Sequence, residues 1–451
     1  MRQTERINVS EVIDNSPISG FQVFIIVVCA IVAMLDGYDL QAISFVAPVL
    51  SKEWGLAESA MAPVFSIGLF GLMLGALISG PIADRTGRKT VVTYSSLAFG
   101  VFSLLTVLSH NTTELMVFRF LTGLGLGGSM PNIISLTAEY SPERVRKAMI
   151  SAMFCGLPVG AVVGGLLATS MIPAWGWQSL FYLGGIIPMA IALLVACALP
   201  ESIRFLVTKH AQSPKIARIL SRISPSVSRA DQATFVLSEP QQQGMPVKHL
   251  FRRGYAVNTV LLWIVFFMNL MIIYFVSNWM PTLLEDAGLP LDKAIIGVVM
   301  LQGGGVVGGI LIGSLGDRKG LRAVLAVAFL AGAVSLAVTG TMHTLPSVMT
   351  MVFISGLLVV GTQFGINALA ASIYLTSVRS TGVGWALGIG RIGSIVGPLI
   401  GGSLIAAHAS LQTIFLVAAV PALIAGLATL GMRMRPAETA AANMSAEQPT
   451  L

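Results

Sequence analysis

The sequence predicts an all-α membrane protein in which twelve transmembrane helices form two pseudo-symmetric halves of six helices each. Three features support this prediction: long uncharged runs, basic residues concentrated on one side of the predicted membrane, and a charged loop that occurs twice. Charged residues make up only 10% of the 451-residue chain, whereas a soluble domain has about 25%. Residues 59–83, 148–200, 254–284 and 323–378 contain no Asp, Glu, Lys or Arg. About 20 apolar residues span a bilayer, so the two longest runs must each contain two helices.

Turn signals locate the individual helices. The runs break at 173–176 and 343–346, where Pro or Gly interrupts the apolar pattern. The predicted spans are therefore, in order, 21–48, 59–83, 90–109, 113–138, 148–171, 178–199, 255–280, 294–316, 323–342, 347–371, 380–406 and 411–432. This order divides the chain into an N-terminal tail (1–20), a first half (21–199), a linker (200–253), a second half (254–432) and a C-terminal tail (433–451). A short helix is expected near 213–223 of the polar linker.

The basic residues predict the orientation in the membrane. All but four of the 27 Lys and Arg lie in the tails, the linker and alternate loops; the exceptions are Lys52, Lys293, Arg119 and Arg391. Under the positive-inside rule both termini are expected to be cytoplasmic, as an even number of spans requires, and the chain is expected to be a multi-pass membrane protein. A net charge of +7 could indicate nucleic-acid binding, but this one-sided pattern makes that interpretation weaker, and no nucleic-acid partner is expected.

A charged loop in the first half has a counterpart in the second. The segment 80–89, with Gly80, Asp84, Arg85, Gly87 and Arg88, is matched by 313–322, which contains Asp317. Glycines at similar spacing recur in predicted spans 5 and 11, where small residues let helices approach closely. Two matched halves imply a central cavity between them, which is where a transporter binds its cargo.

Four ionisable residues lie deep inside predicted spans: Asp36, Asp39, Arg119 and Arg391. A charge at the bilayer centre costs roughly 2.5–3.5 kcal/mol, so such residues face the bundle interior and are candidates for function. Asp36 and Asp39 are three residues apart and share one helix face. Either carboxylate could couple a proton, with Asp39 the stronger candidate because Gly37 and Tyr38 suit a binding wall. The alternative is a fixed ion pair that joins spans 1 and 4.

The two buried arginines match a carboxylate, because a guanidinium group binds it through two parallel hydrogen bonds. Our hypothesis is that Arg391 anchors a substrate carboxylate while Arg119 modulates the aspartates; the reverse assignment stays open. An aromatic ring needs an apolar slot with a few polar groups. The residues assigned to such a slot are Tyr38, Gln363, Asn367 and Trp385; Trp263, Phe267, Asn269, Tyr274 and Phe364 are also available.

Several of these segments resemble the major facilitator superfamily of secondary transporters. The segment 80–89 is similar to the superfamily's loop between spans 2 and 3, and 119–128 is similar to its span 4 motif. Asp36-Gly37-Tyr38-Asp39, Met130-Pro131-Asn132, 139–144 and 388–391 resemble the aromatic acid:proton symporters, in particular carriers of 4-hydroxybenzoate and protocatechuate. Leu40-Gln41 instead resembles hydroxyphenylpropionate carriers.

This resemblance implies a monomeric symporter that imports an aromatic carboxylate together with protons by alternating access. It also implies a gate at the cytoplasmic loops, where Asp84 pairs with a helix N-terminus or a basic group of the other half. The residues assigned to this gate are Gly80, Asp84, Arg85, Gly87, Arg88, Glu139, Arg144 and Asp317.

Other function classes fit less well. A proton-driven exporter of organic compounds is the main alternative, because the glycines of span 5 resemble an antiporter motif, although two buried arginines disfavour cationic cargo. A membrane sensor is disfavoured by short, polar tails and linker. The sequence has no phosphate-binding loop of the Gly-x-x-x-x-Gly-Lys-Ser/Thr type and no nucleophile elbow, so neither ATP-driven transport nor an enzyme is expected. No cofactor or metal site is expected.

Overall fold

A computed structural model describes residues 6–209, 211–224, 234–237, 247–251, 256–342, 344–374 and 376–433. The described chain is almost entirely helical, as predicted. Its elements are β1 (Arg6–Asn8), α1 (Val9–Asn15), α2 (Gly20–Glu53), α3 (Met61–Thr86), α4 (Arg88–Thr106), α5 (Thr112–Tyr140), α6 (Glu143–Phe154), α7 (Gly156–Trp175), α8 (Gln178–Ala198), α9 (Ile203–Lys209), α10 (Pro214–Ile223), β2 (Thr234–Val236), α11 (Ala256–Asp286), α12 (Leu291–Lys319), α13 (Leu321–Thr339), α14 (Leu345–Ser355), α15 (Thr362–Ile373), α16 (Thr376–Ala406) and α17 (Leu411–Gly431).

Twelve helical units follow the order of the twelve predicted spans. Two units are interrupted helices: α6 and α7 meet at Cys155, and a π-helical turn at Gly356–Val360 separates α14 from α15. Within the described residues, ten helices are long and apolar enough to cross a membrane by length and composition alone. The other two units are α4, which begins with Arg88 and Lys89, and α5, whose centre is rich in glycine and polar residues. A criterion based on composition alone therefore does not detect these two spans.

Close helix packing explains the glycines of predicted span 5. A Cβ atom added to Gly160 of α7 would lie 1.8 Å from the carbonyl oxygen of Met34, and one added to Gly37 of α2 would lie 1.9 Å from that of Leu157. Any side chain at these crossing points would force α2 and α7 apart. This contact fixes the helix that carries Asp36 and Asp39 against the rest of the first half.

The N-terminal segment and the linker form a small cap on the first half. β1 pairs in parallel with β2, so that Ile7 lies opposite Phe235, and Val9 and Ile13 of α1 are buried in one cluster with Leu220 of α10. The helix expected near 213–223 is confirmed as α10. The short strand pair was not predicted, because three-residue strands have no readable alternation. The cap lies at the end of the bundle that carries Asp84, named here the Asp84 end.

The two halves meet at the opposite end, named the Lys52 end. Lys52, at the end of α2, forms an ion pair with Glu285, at the end of α11. Slightly deeper, Phe65 packs edge-on against Trp279 with ring centroids 5.1 Å apart, and the Ser66 hydroxyl donates to the Ile395 carbonyl over 2.8 Å. At the Asp84 end, in contrast, Asp84 and its counterpart Asp317 are both exposed. These three contacts therefore join the halves at the Lys52 end.

Candidate functional site

A buried ion pair lies in the middle of the first half. Arg119 of α5 donates through Nη2 to both carboxylate oxygens of Asp39 on α2, over 3.1 Å to Oδ1 and 2.9 Å to Oδ2. The Ser103 hydroxyl of α4 donates to Asp39 Oδ1 over 3.2 Å, and the Arg119 guanidinium lies 5.2 Å above the centre of the Phe181 ring. Asp39 is 2% exposed and Arg119 is 4% exposed. This pair is therefore charge-compensated and closed to bulk water.

A small cavity of about 30 Å³ touches this pair. Its walls include Asp39 and Arg119 from the first half and Asn278 of α11 from the second. A cavity of this size can hold one water molecule where several polar groups converge. The ion pair thus borders the seam between the halves.

Asp36, one helical turn before Asp39, has a different environment. Its side chain is 1% exposed, and within the described residues neither carboxylate oxygen has a hydrogen-bond partner. It lies within electrostatic range of negatively charged Asp39 and of positively charged Arg391 in the second half. A carboxyl group buried without donors is costly to leave unpaired, so its oxygens are open to a proton or to an approaching cation.

Arg391, on α16, is the buried arginine of the second half and is only weakly engaged. Its Nη1 atom is 3.5 Å from the Tyr274 hydroxyl of α11, a long hydrogen bond. Within the described chain, no carboxylate lies within ion-pair distance of Arg391, whose side chain is half-buried. A guanidinium group has five N–H donors, so most of its binding capacity is unused.

Of the residues assigned to an aromatic slot, Gln363 and Asn367 occur together. They lie one turn apart on α15, both half-buried, and Gln363 Nε2 donates to Asn367 Oδ1 over 3.3 Å. Trp385 lies further toward the Asp84 end of α16, stacked on Trp263 with centroids 6.0 Å apart and 45% exposed. The assignment of these three residues to substrate stays a prediction.

Tyr38 is placed differently from the expected binding wall. Its hydroxyl donates to the Leu180 carbonyl over 2.8 Å, its ring packs against Gly164 and Gly184, and the residue is 6% exposed. In this conformation Tyr38 holds α2 against α7 and α8. The structure therefore gives it a packing role inside the first half, and a contact with substrate stays a prediction.

The residues assigned to the gate form contacts mainly within the first half. Arg88 pairs with the buried Glu139 over 2.8 Å, and Glu139 Oε2 accepts from the Ser202 hydroxyl over 2.6 Å. Gly87 has a φ of +97°, a conformation that favours glycine, and it turns the chain from α3 into α4 beside the Glu201 carboxylate. The turn thus sets Arg88 at Glu139.

Arg144 contacts the N-terminal cap and not the second half. Its Nη1 and Nη2 atoms donate to the carbonyls of Asp14 and Ser16, each over 2.8 Å. Asp84, Arg85 and Asp317 are exposed. Within the described residues, the expected pairing of Asp84 with the other half is not formed in this conformation, and a latch there stays a prediction.

Some partners could not be assigned from a single sequence. Ser103 and Phe181 contact the ion pair, Asn278 lines the cavity beside it, and Asn269 contacts Gln363, but each comes from a distant part of the chain. A serine or asparagine in an apolar helix indicates that a polar contact exists. The sequence does not show which residue is the partner.

Comparisons with known proteins identify the family. The family model described as Major Facilitator Superfamily matches residues 29–374, with a second match at 293–450. The 4-hydroxybenzoate transporter PcaK of Pseudomonas putida is 39% identical over 94% of this chain and 95% of its own. The gallate transporter of the same organism is 39% identical over 96% of this chain and 98% of its own. The chain therefore belongs to the major facilitator superfamily, and it is a transporter and not an enzyme.

A solved structure shows the same fold. The partially occluded, inward-open xylose transporter XylE of E. coli superposes with a TM-score of 0.71 at 16% identity, covering 92% of this chain and 100% of that one. The predicted fold class, twelve helices in two pseudo-symmetric halves of a multi-pass membrane protein, is confirmed.

Proposed function

We propose that this superfamily member is a proton-coupled symporter that imports an aromatic carboxylate, such as 4-hydroxybenzoate, protocatechuate or a related hydroxylated acid. One observation carries the proposal. Among the residues that the structure describes, the half-buried Arg391 has no carboxylate partner and the buried Asp36 has no hydrogen-bond partner. The two belong to opposite halves and lie within electrostatic range of each other. The relatives named for transport of 4-hydroxybenzoate and gallate support the substrate class.

Arg391 is the group that binds the substrate carboxylate. Arg119 is already paired with Asp39 and is 4% exposed, so a substrate carboxylate there would have to enter a closed site whose positive charge is already compensated. Arg391 can accept a carboxylate in two-point geometry without breaking an existing ion pair. The apolar ring then lies between the halves, where Gln363, Asn367 and Trp385 are the candidate contacts.

Asp36 is the preferred proton carrier, with Asp39 as the second candidate. The sequence favoured Asp39, but the ion pair with Arg119 stabilises its charged form. Asp36 has no such partner, so its charge state responds to what occupies the space near Arg391. An anion bound at Arg391 removes the positive charge that stabilises ionised Asp36, and this favours protonation of Asp36. Binding of anion and proton is thereby coupled.

The proton also solves an electrostatic problem. Moving one negative charge into a cell against an inside-negative potential costs about 2.3 kcal/mol per 100 mV. One proton carried with a monoanion removes this cost, and a second would let the potential drive uptake.

The proposed orientation places the Asp84 end and both termini in the cytoplasm of a bacterium, with the chain in the inner membrane. The Lys52–Glu285 pair then lies at the outer side of the membrane and helps to close the outside in this conformation. Gly80, Asp84, Arg85 and Asp317 would approach the opposite half when the inside closes. Arg88, Glu139 and Arg144 would keep the first half and its cap rigid during that motion. Both halves lie in one chain, which fits a monomer.

Uptake into proteoliposomes tests the proposal. Labelled 4-hydroxybenzoate should accumulate when the outside is acidic, and accumulation should collapse on addition of a proton uncoupler. Exchange of labelled for unlabelled acid should continue under the uncoupler, because exchange needs no net driving force. Extrusion of the acid in exchange for inward protons would instead establish the exporter alternative, and no movement of any aromatic acid would refute the proposal.

A further inference from the structure

We infer that Asn269, Gln363 and Asn367 form a hydrogen-bonded amide chain that reads the ring hydroxyl of the substrate, with Asn269 as the positioning residue. The inference rests on the proposed function, because it assigns a specificity subsite to the same substrate site.

The amide chain runs from the fully buried Asn269 to the half-buried Asn367. Asn269 of α11 is fully buried, and its Nδ2 donates to Gln363 Oε1 over 2.8 Å. Gln363 Nε2 then donates to Asn367 Oδ1 over 3.3 Å. At the buried end, the Thr362 hydroxyl oxygen lies 2.6 Å from the Val359 carbonyl oxygen and 3.2 Å from Asn269 Oδ1, and its single proton is shared between these two acceptors. Each amide in this series fixes the orientation of the next.

The outer end of the chain is unoccupied by protein. Gln363 and Asn367 are half-buried, and within the described residues the Nδ2 group of Asn367 has no hydrogen-bond partner. Gln363 faces α11, because its Oε1 accepts from Asn269 of that helix. Asn367 lies one turn further along α15 and is half-buried.

A distortion of the helix precedes these residues. The π-helical turn at Gly356–Val360 ends directly before α15, and such turns change the rotation of the residues that follow them. Without the extra residue in this turn, Thr362 and Gln363 would be rotated by about 100° relative to α14, away from Asn269. π-helical turns occur frequently at functional sites, and here the turn aligns one polar face with Asn269.

The amide chain and Arg391 both contact α11. Tyr274, which contacts Arg391, lies five residues after Asn269 on α11, a rise of about 7.5 Å. Arg391 and the buried end of the amide chain therefore contact α11 less than two turns apart. A hydroxyl group donates and accepts, so it can bind the terminal amide, whereas a methyl group of similar size can do neither.

Titration calorimetry of the purified, detergent-solubilised protein tests the inference with a matched pair of ligands. The measured quantity is the ratio of Kd for 4-methylbenzoate to Kd for 4-hydroxybenzoate. The unmodified protein should favour the hydroxylated acid. Asn367→Leu and Asn269→Leu should each lower that ratio by roughly five- to tenfold, the effect of one neutral hydrogen bond, and leave 4-methylbenzoate binding nearly unchanged.

Asn258→Leu is the matched control. Asn258 is also a buried asparagine of α11, but it lies near the start of that helix. Its Nδ2 donates to the carbonyl of Arg433, which follows α17. It should keep the ratio of the unmodified protein. Asn367→Leu changes a half-exposed residue, so it remains informative if Asn269→Leu fails to fold. An unchanged ratio in folded Asn367→Leu, or no preference in the unmodified protein, overturns the inference alone. Absence of binding of both acids to the unmodified protein overturns the proposed function together with it.

Discussion

The two halves of the molecule share one architecture but treat their buried charges differently. In the first half, Arg119 and Asp39 bind each other, with Ser103 as a further donor. In the second half, the described part of the chain gives Arg391 a single long hydrogen bond, to Tyr274. The repeated loops also differ. Arg88 of the first copy pairs with the buried Glu139, whereas the matching position of the second copy is the uncharged Leu321.

This difference indicates a division of work between the halves: the paired charges of the first half stabilise the structure, and the arginine of the second half, unpaired among the described residues, is available to a ligand. A buried charge that is already paired maintains structure and sets the electrostatic potential of its surroundings, while an unpaired one is available to a ligand. Asp36 is the exception within the first half, because it lies one turn from the ion pair and has no hydrogen-bond partner in the described chain. It is therefore the point at which the first half can respond to events at Arg391.

The largest expected effect comes from breaking the ion pair of the first half. Asp39→Asn leaves Arg119 buried without its counter-charge, and loss of one partner of a buried pair costs roughly 3–5 kcal/mol. We expect a clear drop in the thermal unfolding temperature of the purified protein and loss of uptake. Asp39→Asn combined with Arg119→Leu should recover much of the unfolding temperature. Unchanged unfolding of the single variant would show that the pair does not stabilise the first half.

Arg391→Lys should give the converse result in the second half. Lysine keeps the charge but cannot make the two parallel hydrogen bonds of a guanidinium group. We expect the affinity for 4-hydroxybenzoate to fall by roughly 1.5–3 kcal/mol, about ten- to a hundredfold, with little change in unfolding temperature. Calorimetry and thermal unfolding of the same preparation measure both quantities. Destabilisation with normal affinity would reverse the roles assigned to the two arginines.

The sequence predicted much of this arrangement and left a definite part unresolved. Uncharged runs and the positive-inside pattern located the helices, and the cost of buried charge singled out Asp36, Asp39, Arg119 and Arg391. The alternative of an ion pair between spans 1 and 4 is present in the structure as Arg119–Asp39, but the sequence did not say which carboxylate Arg119 meets, because the two residues lie 80 positions apart and packing decides their contact. For the same reason the environment of Asp36, which reverses the order of the two proton candidates, became visible only in the structure.

Local geometry was also beyond the sequence. Tyr38 next to Asp39 suggested a binding wall, but successive helix positions point about 100° apart, and the ring packs toward α7 and α8. The π-helical turn before Gln363 has no sequence signal that distinguishes it from an ordinary glycine-containing helix.

The smallest expected effect concerns the seam between the halves at the Lys52 end. The Lys52–Glu285 pair is partly exposed, with 68% of the Lys52 side chain accessible, so its contribution is at most about 1 kcal/mol. Lys52→Gln should leave substrate affinity and unfolding temperature nearly unchanged. In a Ser66→Cys background, Lys52→Gln should raise the rate at which an impermeant thiol reagent labels residue 66, because the Lys52 end opens more often. An unchanged labelling rate would mean that Phe65 and Trp279 alone hold this end closed.

The coupling between Asp36 and Arg391 is the central claim, and proton movement measures it directly. A pH electrode records the external medium of proteoliposomes when 4-hydroxybenzoate is added. The unmodified protein should take up protons with the acid and raise the external pH. Asp36→Asn should still exchange labelled for unlabelled acid, but it should raise the external pH little or not at all. If Asp36→Asn moves protons with the acid as the unmodified protein does, Asp36 is not the proton carrier and the division of work described above is wrong.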